Sequence, residues 1–272
     1  MRVFLCEFLT SGGLRGQPLP ADAVAEALLL RDALAADLEA VPGVTVVLAF
    51  DDRLATPVGL STPVAEGADP WTIWRDLARE AHLVWPVSQD PARLPALLDG
   101  LRAAAAHVIG GSAEALAVAT TPERLAQALA GGRIPRATPG AGGTPASLSV
   151  LARPDGVTLL AVNIRHLSDD GRLLGFTVGA RPDAEGTLQA LAAAVVKAVP
   201  GLSGIFDIDV MLRPEGAAVT TVQPGPTLSY AGLHRARGIN PAAFLPELIR
   251  EGCPPRVPHL PPPVAVEVRL RG

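Results

Sequence analysis

The chain has 272 residues, 49% of them hydrophobic, and a formal net charge of −4. A chain of that length and apolarity can bury a sizeable core in one large domain or two packed ones, which excludes a disordered or fibrous polypeptide. No stretch reaches the roughly 20 apolar residues a membrane span needs, and the acidic balance with no Lys/Arg run excludes a nucleic-acid surface, where clustered cations must neutralise phosphates.

Arg2 follows Met1 directly, and the apolar run Val3 to Cys6 is closed by Glu7, too soon for a signal-peptide core. A cytoplasmic location is therefore expected. Cys6 and Cys253 lie at opposite ends of the chain with no metal-ligand spacing, so two free thiols are expected in a reducing compartment. Lys197 is the only lysine, so no chemistry that needs a pair of lysines can be carried here.

In chain order, Arg2 to Phe8 reads as a buried strand closed by the turn Thr10-Ser11-Gly12-Gly13. Ala21 to Ala40 carries leucines on a helical period and is stopped by Pro42-Gly43 before the β-branched run Thr45 to Val47. Trp71 to Ala81 reads as a helix, His82 to Val87 as a strand, and Pro91 to Ala106 as a helix with proline in its first turn. Alternating strands and helices predict a Rossmann-like parallel layer covered on both faces over residues 1–112. No G-x-G-x-x-G follows the first strand, which argues against a plain dinucleotide-binding domain.

Residues 113–130 predict two short helices, the second with Thr121 as N-cap before Pro122. Gly131 to Pro145 is crowded with Gly and Pro and reads as a linker. Beyond it, Ser147 to Leu151 and Val157 to Val162 form a predicted hairpin through Pro154-Asp155-Gly156. A helix follows at Leu188 to Val199, and a second hairpin joins Ile205 to Leu212 with Ala217 to Val222. Asn240 to Arg250 reads as a closing helix, before a Pro-rich tail and a last strand, Val264 to Leu270. The expected organisation is thus 1–112 Rossmann-like, 113–145 helices and linker, and 146–272 an α+β domain with an antiparallel sheet.

Four local patterns, in order, resemble one family. They are Phe4 to Gly13, Ile109 to Ser112, Ser147 to Val150 with Leu160 to Leu167, and Gly204 to Leu212 with Val219 to Leu233. Together they resemble the ATP-grasp ligases that join tyramine to glutamate in methanofuran biosynthesis, within one-carbon cofactor metabolism. The resemblance implies an ATP-grasp-like α/β fold, ATP as cofactor, and an acyl phosphate that an amine opens into an amide. Such chemistry gathers anions, so it needs cations on the phosphates and magnesium held by hard oxygen ligands.

Carried over residue by residue, the resemblance puts Asp209 at the family's metal-binding Asp. Asp207, two residues back, shares its strand face by the period of two. The family's Glu, Asn and Arg fall on Thr221, Gln223 and Gly225, so the candidate metal ligands are Asp207, Asp209 and Gln223. Asn163 keeps the family residue, while the Arg that follows it in the family has become Ile164. Arg165, one place on, points to the face opposite Ile164 in a regular strand, and Asn163 and Arg165 are the candidate catalytic residues. On the nucleotide side, Arg124 lies near the position of one family lysine, and Thr10, Gly12 and Gly13 form a turn able to cradle an anion.

The second lysine of the family has no counterpart in the short connection before Ser147, so the lid is expected to be reduced or absent. Weak or lost binding of ATP and magnesium is expected, together with a role as a partner subunit. The partner would be a second copy or an intact ATP-grasp paralogue, and the alternative is an active ligase acting on a glutamate-like substrate. The histidines His82, His107, His166, His234 and His259 show no paired spacing for a metal.

Overall fold

The structure, a computed structural model, describes residues 1–105, 107–138, 141–249 and 254–270. The chain divides into two compact units. The first holds Met1–Gly110 with Ala242–Pro254, and the second holds Gly111–Pro241 with Pro255–Gly272.

The first unit is built on a four-stranded parallel sheet of β1 (Arg2–Glu7), β2 (Thr45–Asp51), β3 (Leu60–Val64) and β4 (Leu83–Val87), in the order β3-β2-β1-β4. Its helices are α1 (Ala21–Glu39), α2 (Pro70–Glu80) and α3 (Leu94–Arg102). Burial on both faces explains why β1 and β4 read as unbroken apolar runs rather than alternating ones. Phe4 and Cys6 pack with Trp74 and Ala78 of α2 and with Leu97 and Leu101 of α3. Val3 and Leu5 alternate to the other side and are fully buried, while α1 packs on β1 and β2. All three tryptophans, Trp71, Trp74 and Trp85, belong to this unit.

Sequence periodicity misses β3, because it is a half-exposed edge strand that carries Pro63. The predicted Thr10–Gly13 turn is a π-type turn over Leu9–Gly13, in which Gly12 takes a φ of +89°. The predicted helix at 91–106 is shorter, Leu94–Arg102, and Ala106 lies outside the described residues. The closing helix expected over 240–250 is instead two short 3-10 turns, Pro241–Phe244 and Pro246–Leu248. Pro246 has no N–H to give to an α-helical carbonyl, which breaks the run. Arg250 and Cys253 lie outside the described residues.

The second unit opens with α4 (Ala113–Thr120), capped by the Ser112 side chain on the Ala115 amide, and α5 (Pro122–Gly131). Thr121 is the N-cap of α5 by position, but its side chain makes no cap hydrogen bond. The strands are β5 (Thr144–Arg153), β6 (Gly156–Leu167), β7 (Leu173–Arg181), β8 (Gly204–Arg213), β9 (Gly216–Gln223) and β10 (Val266–Arg269). The helices are α6 (Thr187–Ala198) and α7 (Tyr230–Arg237). The strands form one antiparallel sheet in the order β10-β7-β6-β5-β8-β9.

The central strands are two-faced. Leu148, Val150, Val162, Ile208 and Val210 join one buried cluster with Leu125 and Leu129 of α5 and with Ala192 and Val195 of α6. The residues between them in sequence, Ser147, Ser149, Asn163, Asp207 and Asp209, are polar and also buried. Strand β7 and helix α7 carry no strong sequence signal. Gly175 and Gly179 interrupt the strand's apolar pattern, and α7 has only eight residues. Among the described residues no helix is long and apolar enough to cross a membrane.

Candidate functional site

The polar face of the second unit follows from register. Ser147 on β5 pairs with both Asn163 on β6 and Asp209 on β8, and Ser149 pairs with Ala161 and Asp207. Because side chains alternate, Asn163, Ser147 and Asp209 line up across three strands, and Arg165 stands two residues along from Asn163 on the same face. On the other side of β8, Asp207 pairs with Gln223 and Asp209 with Thr221, just before a bulge between Asp209 and Val210.

Two connected groups of hydrogen bonds result. In the first, Asp209 Oδ2 accepts from Thr221 Oγ1 at 2.8 Å and from Gln223 Nε2 at 3.3 Å. Arg165 Nη1 lies 3.1 Å from the same oxygen. In the second, Asp207 Oδ2 accepts from Ser229 Oγ at 2.7 Å and from Thr227 Oγ1. Ser229 Oγ is in turn 3.2 Å from Ser149 Oγ, which accepts from Asn163 Nδ2 at 2.8 Å. Asn163 Nδ2 also reaches Ser147 Oγ, and its Oδ1 accepts from the Gly179 amide, so both ends of this buried side chain are held.

Asp207 is 2% exposed, and burial pushes its carboxyl up to about 6, against the hydroxyls of Thr227, Ser229 and Ser149 that favour its charged form; the neighbouring Asp209 charge raises it further.

Magnesium takes hard oxygen ligands in near-octahedral array, commonly one or two carboxylates together with waters and substrate phosphates. Oδ2 of Asp209 is already taken by three donors, one of them a guanidinium. Gln223 offers Asp209 its amide N–H rather than its oxygen to a shared centre. Among the described residues no group of three or more His, Cys, Asp or Glu side chains could hold a metal ion. In this arrangement Asp209 Oδ2 faces Arg165, Thr221 and Gln223 rather than a shared metal centre.

Of the predicted site residues, Asn163, Arg165, Asp207, Asp209 and Gln223 come together on this one face. Arg124, also in the second unit, is half-exposed on α5 and paired with Glu114. Thr10, Gly12 and Gly13 belong to the first unit. There the Thr10 amide and hydroxyl both donate to Glu7 Oε2, at 2.8 and 2.9 Å. A Cβ on Gly13 would fall 2.5 Å from the Phe8 carbonyl oxygen, so the turn is closed on itself. Sequence reasoning missed Ser147 and Ser149 as members of the network. Their alternation with Leu148 and Val150 is the signal that could have found them.

Residues 140–229, about a third of the chain, match the family model of the ATP-grasp domain. An ATP-grasp superfamily protein from Archaeoglobus fulgidus superposes with a TM-score of 0.74 at 18% identity, over 90% of this chain and 87% of that one. The fold is ATP-grasp.

An L-amino acid ligase from Bacillus licheniformis shares the fold with a TM-score of 0.60 at 11% identity, over 90% of this chain and 73% of the ligase. A multifunctional pyruvate carboxylase from Rhizobium etli matches with a TM-score of 0.64 at 12% identity, over 89% of this chain but only 23% of that much longer one. No curated protein matches the sequence. Relative to the ATP-grasp expectation, only residues 132–143 join α5 to β5, and among the described ones none belongs to a named helix or strand.

Proposed function

We propose that this chain is a relative of the ATP-dependent carboxylate–amine ligases, akin to the tyramine–glutamate ligases of methanofuran biosynthesis. On this reading an internal ion pair has replaced its magnesium centre, and it works as a non-catalytic partner subunit, with a second copy or with an intact ATP-grasp paralogue. The observation that carries the reading is the Arg165–Asp209 contact, which sets a fixed cation against the carboxylate that would hold the metal. Thr221 and Gly225 at the family's Glu and Arg positions, the short connection before β5 and the single lysine all support it.

An active ligase using a glutamate-like substrate is the second reading. It is favoured by the retained alignment of Asn163, Asp207 and Asp209 on one face.

Calorimetric titration of the purified chain with ATP, with and without magnesium, separates the two, alongside an assay of ADP release with tyramine and glutamate. The partner-subunit reading expects no magnesium-dependent binding tighter than about 1 mM, which corresponds to only about 4 kcal/mol. It also expects a stable oligomer, either of the chain alone or with a co-expressed tyramine–glutamate ligase. Micromolar magnesium-dependent ATP binding with ADP release overturns it in favour of the active enzyme.

A further inference from the structure

The second unit contains a cavity of about 540 Å³ that lies outside the hydrogen-bonded network above. Its walls come from β6, the segment leading into α6, the end of α7 and the proline-rich stretch before β10. The volume is in the range of small-molecule sites, and the lining is mixed, somewhat more apolar than polar, with Leu159, Leu160, Val162 and Leu260 among its residues.

Two of its polar side chains, Asp183 and Gln189, are already engaged. Asp183 caps α6 by accepting from the amides of Leu188 at 3.2 Å and Gln189 at 2.8 Å. The Gln189 side chain bridges two backbone groups, donating to the Val157 carbonyl and accepting from the Leu159 amide.

Arg237 is different. It is only 8% exposed, lines the cavity, and its Nε is buried with no hydrogen-bond partner. Burial holds its guanidinium below the usual arginine range, and no acid offsets that shift. A buried N–H costs free energy unless an acceptor meets it, so native structures seldom keep one without a partner. Arg181 is an exposed second guanidinium of the same cavity. Two arginines against the single carboxylate of Asp183 leave one net positive charge, with His259 as a further polar group.

We propose that this cavity is a binding site for a small organic monocarboxylate, whose carboxylate pairs with Arg237 and Arg181 and whose hydrocarbon body lies against the leucines and prolines. A guanidinium fork matches a carboxylate in two parallel hydrogen bonds. The apolar walls favour an acid with a body of several carbons over a bare inorganic anion. This site is independent of the nucleotide reading, so neither stands or falls with the other.

The test uses the full chain and a defined probe set: hexanoate, benzoate, hexanamide and inorganic phosphate, titrated by calorimetry and ligand-observed NMR. Saturable binding of hexanoate or benzoate is expected, with hexanamide and phosphate at least about tenfold weaker, a difference of about 1.4 kcal/mol. Arg237→Met should weaken the carboxylate by about tenfold or more, consistent with loss of a charge-assisted pair. Arg181→Ala, an exposed change that leaves the core intact, should weaken it by a smaller factor and guards against misfolding of the first variant. Failure of both carboxylates to bind by about 10 mM overturns the proposal, as does equal binding of hexanamide, preference for phosphate, or unchanged affinity in both variants.

Discussion

Arg165 Nη1 and Asp209 Oδ2 meet at 3.1 Å, joining side chains from β6 and β8, the two strands that flank β5. The Asp209 side chain is 8% exposed and that of Arg165 27%, so the pair is sheltered without being fully removed from water. In that setting the attraction exceeds that of a surface pair, and the larger effect is the penalty for leaving one partner alone.

Arg165→Met should therefore destabilise the second unit by about 1–3 kcal/mol, below the range for fully buried pairs because Arg165 is partly solvated. Urea unfolding followed by far-ultraviolet circular dichroism measures it. Adding Asp209→Asn to that variant should restore most of the loss, since Thr221 and Gln223 can still donate to the amide oxygen. A double variant as unstable as the sum of its singles would show that the two side chains act separately.

Asp207 gives a pH signature of definite sign. Its folded carboxyl titrates near 6, against 3.8 for an ordinary aspartate, so between those values the native state holds a proton that the unfolded chain has released. Its contribution is fully present below about pH 4, shrinks as pH rises toward 6, and is gone above that, a total of about 3 kcal/mol at most. Asp207→Asn should flatten that slope while still accepting from Thr227 and Ser229. Urea midpoints at a series of pH values compare the two proteins, and parallel curves would refute the assignment.

Gly12→Ala should cost about 1–3 kcal/mol in the first unit. The backbone there has a φ of +89°, and an added Cβ would lie 2.9 Å from the Cβ of Val64. Thermal unfolding should show a lowered transition, and an unchanged one would mean that the turn re-forms with φ negative.

Local apolar period makes β1, α1, α2, β4, α6 and the two hairpins legible, because each carries its own burial pattern. It fails where a neighbour decides the structure. Edge strand β3 is held by pairing with β2 despite Pro63, and β7 by pairing with β6 despite its glycines. The shared face of Asp207 and Asp209 follows from spacing alone, whereas the meeting of Arg165 with Asp209 does not. It depends on β5 lying between β6 and β8, a long-range pairing that leaves no mark in either segment. The cavity around Arg237 was hidden for the same reason, since its walls come from segments about a hundred residues apart.

Placement of Trp71, Trp74 and Trp85 in the first unit alone, with the lone Tyr230 in the second, makes the chain a selective optical reporter. Indole emission follows melting around α2 and β4 and does not report on the sheet that carries Asp207 and Arg165. A loss of dichroism that precedes the emission change would therefore resolve the two units without any label.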